Sequence, residues 1–594
     1  MDYKKNYEAW LASPALSPSE KDELQSIKND DKDIESRFFS RLEFGTAGLR
    51  GVMAVGLFRM NIHIIRHTTQ AFAELILAEP DNENCNDSKC NDSNCNDYNQ
   101  QKSKKTVAIC YDSRLNSEAF AREAACIIAA NGINVRIFDA LRPTPELSFA
   151  IREYGCIAGI NITASHNPKE YNGYKVYWAD GAQLPPHHAE DIANKMEKLD
   201  MFTSIKTMDY EKAVDQGLVT IMGAETDELF LKNVMEQAND FETVKKVADT
   251  FKLVYTPFHG AGYKLVPEAL KRLGLKHIIK EPEQMKTDGT FPTVISPNPE
   301  NPEGFELAIT LAKENGADLI IGTDPDCDRV GIMVRDDAGE YITISGNQTG
   351  VLLLDYLIGA KNRAGTMPEN PAMLKSLVTT EMARLIAEKN DVACFDTFTG
   401  FKFMAEKKNA LEAAGTHKVI YSYEESYGYM IGDFVRDKDA VTASMLLAEM
   451  AAWYADQGMT LYDAILKLYE KYGQFAEKTL NLVMPGLDGI AKMRDLMANL
   501  RENPPEDIAG TPVIKRRDYQ TGEEIDIKTN QTTKIELSGS NVLRYGLADD
   551  TAIIVRPSGT EPKVKVYILA SGETRMDCND KVEKYTLWAE KLAF

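Results

Sequence analysis

The chain has 594 residues, 43% of them hydrophobic and 27% charged, with a formal net charge of -22. At roughly 100 to 200 residues per domain it is too long for a single core, and we predict four domains. The acidic balance argues against nucleic acid or an anionic membrane as a partner. Because we find neither a signal-peptide core nor a run approaching ~20 apolar residues, we predict a cytoplasmic protein.

In chain order, the predicted elements follow a strand–helix–strand rhythm. A Gly-rich turn, FGTAGLRG, comes first, and the Asn/Cys-rich repeat at residues 82–105 is predicted to be a disordered surface insertion. TVAICYD then reads as a strand, SEAFAREAACIIAANG as a helix and INVRIFDA as a strand. The strand-like runs KLVYTPFHG and DLIIGTDPD continue the pattern, so functional residues are expected at strand ends.

Composition shifts predict the domain boundaries. We expect α/β domains at residues 1–213, 214–340 and 341–472, and a smaller α+β domain at residues 473–594. The last domain differs from the others in composition and in its predicted elements. It is richer in polar turns and contains two strand-like runs, TAIIV and VKVYIL.

The first candidate site is NITASHNPKEYNGYK, at residues 161–175. The strand-like run GCIAGINIT ends just before Ser165, which we therefore place in a turn with its side chain exposed. A serine hydroxyl in that position can act as a nucleophile or carry a phosphate. The alternative is an Asx-Pro turn in which Ser165 caps the local backbone.

The second candidate site is GTDPDCDR, which places Asp324, Asp326 and Asp328 at alternate positions after an apolar strand. Three carboxylates on one short loop predict an oxygen site for Mg²⁺ or Ca²⁺. An EF-hand is excluded, because Arg329 stands where the glycine is needed and Arg335 where the bidentate glutamate is needed. The alternative is a solvated acidic turn.

Two further stretches carry polar groups suited to a phosphorylated sugar. In YEESYGY, Glu424 and Ser426 can hydrogen-bond vicinal hydroxyls, although adjacent glutamates are also common on solvated surfaces. Between two strands, RPSGTEPK offers a guanidinium, two hydroxyls and turn amides as a phosphate cradle, or else forms a plain hairpin turn.

Together, TASHNP, DPDCDR, EESYG and RPSGT resemble the motifs of the α-D-phosphohexomutase superfamily, and specifically its phosphoglucomutase and phosphomannomutase enzymes. The resemblance spans nearly the whole chain. It implies three related α/β domains with mixed sheets and a smaller α+β C-terminal domain, arranged around a central cleft. The insertion at residues 82–105 departs from the compact family core.

The resemblance also implies residue roles. Ser165 would carry the phosphate and, with Asp324, Asp326 and Asp328, hold Mg²⁺, while Arg329 braces the phosphate. Lys175 would transfer protons, with His166 and Lys438 as alternatives. The implied substrate-binding residues are Arg50, Glu424, Ser426, Arg436, Lys438, Arg556, Ser558, Gly559 and Thr560.

The implied activity is interconversion of glucose 1-phosphate and glucose 6-phosphate through a phosphoserine enzyme and glucose 1,6-bisphosphate. Phosphomannomutase and phosphopentomutase activities remain alternatives, because similar sugar loops occur in those enzymes. A phosphatase that loses the Ser165 phosphate to water and a non-catalytic phosphosugar-binding protein are more remote alternatives. We expect a small-molecule sugar phosphate as the partner, and no feature indicates an obligate protein partner.

Overall fold

The computed structural model describes residues 2–45, 48–80, 105–484, 489–558 and 563–593. The predicted insertion therefore lies outside the described residues, apart from Lys105. Contacts between residues divide the chain into two compact units. The first unit comprises Met1–Met333 and Gly428–Ala452, and the second comprises Val334–Tyr427 and Trp453–Phe594.

The helices are α1 (Tyr3–Ala12), α2 (Pro18–Ser26), α3 (Asp31–Phe38), α4 (Ile62–Ala78), α5 (Ser117–Ala130), α6 (Thr144–Glu153), α7 (Pro186–Lys198), α8 (Tyr210–Asp215), α9 (Ala224–Met235), α10 (Phe241–Val247), α11 (Gly262–Leu273), α12 (Glu306–Asn315), α13 (Gly346–Ala364), α14 (Met382–Lys389), α15 (Phe401–Ala413), α16 (Ala440–Asp456), α17 (Leu461–Tyr472), α18 (Gly489–Glu502) and α19 (Arg575–Glu590). Short 3₁₀ helices span Pro302–Phe305 and Lys591–Ala593.

The strands are β1 (Leu49–Val52), β2 (Thr106–Tyr111), β3 (Asn134–Phe138), β4 (Ala158–Ile162), β5 (Tyr171–Trp178), β6 (Val219–Met222), β7 (Lys252–Thr256), β8 (His277–Lys280), β9 (Leu319–Thr323), β10 (Val330–Arg335), β11 (Tyr341–Ile344), β12 (Pro371–Ser376), β13 (Ala393–Thr397), β14 (Lys418–Glu424), β15 (Gly428–Met430), β16 (Gln474–Val483), β17 (Asp507–Ile508), β18 (Thr511–Asp518), β19 (Glu523–Asp526), β20 (Gln531–Lys534), β21 (Leu543–Leu547), β22 (Ala552–Pro557) and β23 (Lys563–Gly572).

Two sheets form the first unit. In one, the order is β1-β5-β4-β2-β3-β6, with β2 parallel to β3 and β4, and β5 antiparallel to β1 and β4. In the other, β10, β9, β7 and β8 lie in that order, and β7 is parallel to β8 and β9. The apolar faces of β2 and β4 are fully buried, as expected for parallel strands covered by helices.

The second unit combines a parallel and an antiparallel sheet. Strand β12 lies between β13 and β14 and is parallel to both. The antiparallel sheet has the order β16-β23-β22-β21-β18-β19-β20, and its long strands β16 and β23 pack against α19, with α18 also contacting β23. Here the predicted TAIIV and VKVYIL strands are neighbours, β22 and β23, joined by a hairpin.

Candidate functional site

The Ser165 loop leaves the carboxyl end of β4. Ser165 adopts a left-handed backbone conformation, with φ of +52°, and its amide donates to Thr163 Oγ1 at 2.8 Å. Such a conformation is uncommon for a residue with a Cβ and requires support from its surroundings. The expectation that Ser165 is exposed is wrong, because only 3% of its surface is accessible. The hydroxyl of Ser296 donates to the His166 carbonyl of this loop at 3.4 Å.

Arg114, which sequence reasoning missed, holds this loop in place. It follows β2, the parallel neighbour of β4, so both segments reach the same edge of the sheet. Its side chain is buried and is paired with Asp112 at 3.2 Å. The guanidinium donates to four carbonyls of the loop, those of Ser165, Asn167, Pro168 and Tyr171. The sequence feature that could have indicated this role is the position of Arg114, just after the predicted strand TVAICYD.

The aspartate loop follows β9 and meets the Ser165 loop directly. One carboxylate oxygen from each of Asp324, Asp326 and Asp328 lies within 4.8 Å of the others. Ser165 Oγ donates to Asp324 Oδ2 at 2.9 Å. The other oxygen of Asp324 accepts from the amides of Asp328 and Arg329, at 3.1 and 3.0 Å. The loop amides therefore orient the first carboxylate toward the serine.

The TPFHG segment at residues 256–260 supports the aspartate loop from behind. The Ala261 amide donates to the Pro325 carbonyl at 2.8 Å. A Cβ placed on Gly260 would lie 2.4 Å from Pro325 Cα, so this position requires glycine. The close approach explains why a Gly-containing turn follows β7.

Two lysines contact the aspartates. Lys175 Nζ lies 2.7 Å from Asp326 Oδ2, and Lys438 Nζ lies 3.0 Å from Asp328 Oδ2. Lys438 Nζ is also 3.0 Å from Asp437, which accepts from the Tyr177 hydroxyl at 2.8 Å. Asp439 fixes the start of α16 by accepting from the amides of residues 441 and 442, at 2.9 and 3.0 Å. Lys438 thereby stands on a well-anchored helix terminus.

The aspartate cluster offers buried oxygen ligands for a divalent cation. Besides the two lysines, Arg329 is a cationic neighbour, with its Nε 4.0 Å from Asp328 Oδ1. Burial raises the pKa of Asp324, and the carboxylates of Asp326 and Asp328 raise it further. Within the described part of the chain, the Oδ1 atoms of Asp326 and Asp328 are buried without a hydrogen-bond donor. Buried carboxylate oxygens of this kind are the ligands that Mg²⁺ prefers.

Three further predicted residues surround Ser165. His166 Nδ1 lies 3.1 Å from Ser165 Oγ, and burial, followed by the charges of Arg329 and Arg50, holds the pKa of His166 well below its usual value. Arg329 pairs with Glu300 at 3.1 Å. Arg50, on β1, donates to the side chain of Asn167 at 2.8 Å. All three therefore lie beside the Ser165 loop.

Arg436, predicted to bind substrate, belongs to the same unit and contacts the protein backbone and Ser148. Its side chain is buried and donates to the carbonyls of Asp433 and Val435, at 2.8 and 3.0 Å. Its amide donates to Ser148 Oγ at 2.8 Å. These contacts bind Arg436 to its own loop and to α6.

In the second unit, the sugar loop begins at the last residue of β14, Glu424. Glu424 is buried and accepts from the Gly400 amide. Glu425 Oε2 accepts from Ser376 Oγ at 2.9 Å and from Thr379 Oγ1 at 3.3 Å. Ser426 is half-buried. The two adjacent glutamates are thus held in place and do not form a solvated surface.

The RPSGT hairpin connects β22 to β23. Arg556 faces Lys565 across the ladder, and the Ser558 amide donates to the Lys563 carbonyl at 2.8 Å. The predicted ligands Gly559 and Thr560 lie outside the described residues. Sequence reasoning missed Lys402, near the start of α15, where burial and then the Arg556 charge lower its pKa to about 8. Two neighbouring cations at this point favour an anionic ligand.

Tyr567 connects the hairpin with the sugar loop. Burial and the Glu425 carboxylate raise the pKa of Tyr567, whereas the Arg556 guanidinium counteracts them. The sugar-loop residues and Arg556 therefore lie around one tyrosine.

No helix among the described residues is both long and apolar enough to cross a bilayer.

Models of four protein domains match the chain in order. They are the α/β/α domains I, II and III of phosphoglucomutase/phosphomannomutase, at residues 93–202, 228–339 and 345–472, and the C-terminal domain, at residues 481–582. These matches confirm the predicted fold class. The exact boundaries at residues 213, 340 and 472 remain predictions.

Similar proteins of known name cover most of the chain. The phosphoglucomutase of Staphylococcus aureus (strain MRSA252) is 36% identical over 544 residues, which is 90% of this chain and 91% of that protein. The phosphoglucomutase of Staphylococcus haemolyticus (strain JCSC1435) is 34% identical over 534 residues, again 90% of this chain and 91% of the relative.

Two solved structures share the fold. The Paramecium exocytosis-sensitive phosphoprotein pp63/parafusin, a phosphoglucomutase in its open form, has a TM-score of 0.64 at 18% identity and covers 93% of this chain and 94% of its own. A phosphoglucomutase/phosphomannomutase family protein from Burkholderia thailandensis has a TM-score of 0.63 at 17% identity, covering 93% and 98%. With four domains matched in order and 36% of the aligned residues identical to a named relative, the chain belongs to the phosphoglucomutase/phosphomannomutase family.

Proposed function

We propose that this chain interconverts glucose 1-phosphate and glucose 6-phosphate, with Ser165 as the phosphate carrier. The observation that carries the proposal is the 2.9 Å hydrogen bond from Ser165 Oγ to Asp324 Oδ2, the first of three converging carboxylates. The named relatives over 90% of the chain are phosphoglucomutases, which favours glucose over mannose or a pentose. Glucose 1,6-bisphosphate would be the intermediate and activator.

Asp324, Asp326, Asp328 and Ser165 would hold Mg²⁺. The ion would neutralise charge on the transferring phosphoryl group, so that catalysis depends mainly on positioning and electrostatics. The protein groups around it have complementary tasks. Arg114 fixes the direction of Ser165 Oγ, Arg329 braces the phosphate, and loop amides orient Asp324.

We assign proton transfer at the substrate hydroxyl to Lys175 Nζ, which lies 2.7 Å from Asp326 and 3.8 Å from Asp328. His166 Nδ1 contacts Ser165 Oγ itself at 3.1 Å. Lys438 Nζ is held between Asp328 and Asp437, both at 3.0 Å. His166 thus suits orientation of the nucleophile, and Lys438 suits binding.

In the second unit, the substrate would be bound at its two ends. Arg556, Ser558, Gly559 and Thr560 would hold the phosphate that is not reacting, with Lys402 adding a second positive charge. Glu424 and Ser426 would bind sugar hydroxyls. Arg50 and Arg436 would also be substrate-binding residues. The bisphosphate must bind in two orientations, so the same phosphate site serves both.

Arg556→Ala should raise KM and lower kcat together, for a combined loss in kcat/KM of roughly 100-fold, because the lost contact both binds and orients the substrate. Arg556→Lys should recover only part of the loss, since a point charge cannot replace a bidentate guanidinium. Steady-state kinetics with glucose 1-phosphate measure both effects, and Mg²⁺ titration should show unchanged affinity. If Arg556→Ala has wild-type kinetics, the hairpin does not bind phosphate and is an ordinary turn.

Arg114→Lys should lower kcat by about 100-fold, because an ammonium group cannot donate to four carbonyls and the Ser165 loop loses its alignment. Lysine keeps a positive charge beside Asp112, so the fold should persist in circular dichroism. Arg122→Lys is the matched control, since Arg122 is half-exposed, pairs with Glu118 on its own helix and stacks over the ring of Tyr210. Equal kinetics in both variants would contradict the role of Arg114.

The direct test of the proposed function compares turnover of glucose 1-phosphate, mannose 1-phosphate and ribose 1-phosphate with Mg²⁺ and glucose 1,6-bisphosphate. We expect glucose 1-phosphate to have the highest kcat/KM and phosphate to appear on Ser165 in peptide mass spectra. Steady release of inorganic phosphate without isomerisation would identify a phosphatase instead.

A further inference from the structure

A buried charge network lies behind the sugar-binding loop in the second unit. Lys375, at the end of β12, is fully buried, and its Nζ lies 3.0 Å from Asp396 and 3.4 Å from Glu381. Arg384 pairs with the same two carboxylates, at 2.6 and 3.2 Å. Burial raises the pKa of Glu381, but Lys375 and then Arg544 outweigh it and keep the group ionised. The network therefore consists of mutually paired charges.

The network reaches the sugar-binding loop through a short turn. Lys375 Nζ donates to the Thr379 carbonyl at 3.3 Å. The hydroxyls of Thr379 and Ser376 both donate to Glu425 Oε2, at 3.3 and 2.9 Å. Glu425 stands between Glu424 and Ser426 in the chain, so the turn fixes the loop that carries both.

The network also reaches the sheet that carries the phosphate-binding hairpin. Arg544, on β21, donates to Glu381 Oε1 at 3.0 Å and to the Leu377 carbonyl at 3.5 Å. Its ladder partner on β22 is Ile554, two residues before Arg556. Leu377 and Ile554 also belong to one apolar cluster. A single arginine thus connects the hairpin strand to the segment that holds the sugar loop.

We propose that Glu381 and Arg544 are positioning residues that set the spacing between the sugar-binding loop and the phosphate-binding hairpin, so that a sugar phosphate meets one preassembled surface. The inference rests on the proposed function. A substrate that must bind in two orientations needs the same spacing both times. If the spacing fluctuates, only a fraction of molecules is competent to bind, and the apparent dissociation constant rises by the inverse of that fraction.

The test uses Arg544→Met and Glu381→Gln in the full-length chain. Each should raise KM for glucose 1-phosphate about tenfold while kcat changes less than threefold, because the bound state keeps its geometry. In a Ser165→Ala background, the dissociation constant of glucose 6-phosphate, measured by calorimetry, should rise by the same factor. The double variant should be no worse than the more affected single variant, since both act through one contact.

Glu536→Gln is the matched control. It removes the ion pair between Lys407 and Glu536, at 2.7 Å, which joins α15 to the segment between β20 and β21. Unlike the buried pairs of the network, this one is exposed, since 83% of the Glu536 side chain is accessible to solvent. Its KM and calorimetric constant should be unchanged, because exposed pairs contribute little. A thermal melt identifies a variant that fails to fold, and Arg544→Lys then replaces Arg544→Met, with a severalfold rise in KM expected from loss of the guanidinium fork.

The two proposals fail differently. A wild-type chain without glucose 1-phosphate turnover would overturn the proposed function. An active wild type, with KM and binding in Arg544→Met and Glu381→Gln within twofold of normal, would overturn the positioning role alone. Additive effects in the double variant would also overturn it, because they would show that the two residues act independently.

Discussion

Ser165→Ala should abolish isomerisation, with a loss in turnover of roughly four orders of magnitude or more, because the variant has no group to carry the phosphate. The hydroxyl makes hydrogen bonds to Asp324 and His166 but fills little core volume, so the fold should persist. Coupled detection of glucose 6-phosphate measures turnover, and peptide mass spectrometry measures loss of the phosphorylated site.

Ser296→Ala provides the control for this prediction. Ser296 contacts the same loop, where its hydroxyl donates to the His166 carbonyl at 3.4 Å. Its turnover should fall by less than about tenfold, in line with one weak lost hydrogen bond. Substantial activity in Ser165→Ala would exclude the covalent mechanism. Equal losses in both variants would show that loop disturbance, and not loss of the nucleophile, explains the result.

Removing the divalent cation should have an effect of similar size. Chelation should stop turnover, and added Mg²⁺ should restore it, since three buried carboxylates converge and, among the described residues, two of their oxygens accept no hydrogen bond. Asp326→Asn should raise the Mg²⁺ concentration for half-maximal turnover by roughly 100-fold, because it deletes one anionic ligand and leaves Lys175 without its close partner.

Asp337→Asn is the control for the metal site, because Asp337 is an exposed aspartate in a turn. Its Mg²⁺ dependence should match that of the wild type. The affinity can be followed without turnover by isothermal titration of the chelated protein with Mg²⁺. Full activity after chelation, or unchanged Mg²⁺ affinity in Asp326→Asn, would refute the assignment of the aspartate loop.

Groups that lie close together in the chain were predictable. Asp324, Asp326 and Asp328 occupy alternate positions after one strand, so a single loop brings them together whatever the rest of the fold does. The strands and helices of the first α/β segment followed equally from local periodicity. The burial of Ser165 did not, because the side chain contacts Asp324, which is 159 residues away in the chain.

Contacts between distant segments depended on the order of strands in the sheets. Arg114 reaches Ser165 across 51 residues because β2 and β4 are parallel neighbours, which no local pattern specifies. Lys402 and Arg544 were likewise not distinguishable from ordinary surface cations until the second unit placed them beside Arg556 and Glu381. The sequence by itself determined the repeated α/β architecture and the chemistry of each loop, since periodicity and side-chain type are local properties. Only the tertiary structure decided which side chains hold those loops in position, because that depends on non-local packing between strands and helices.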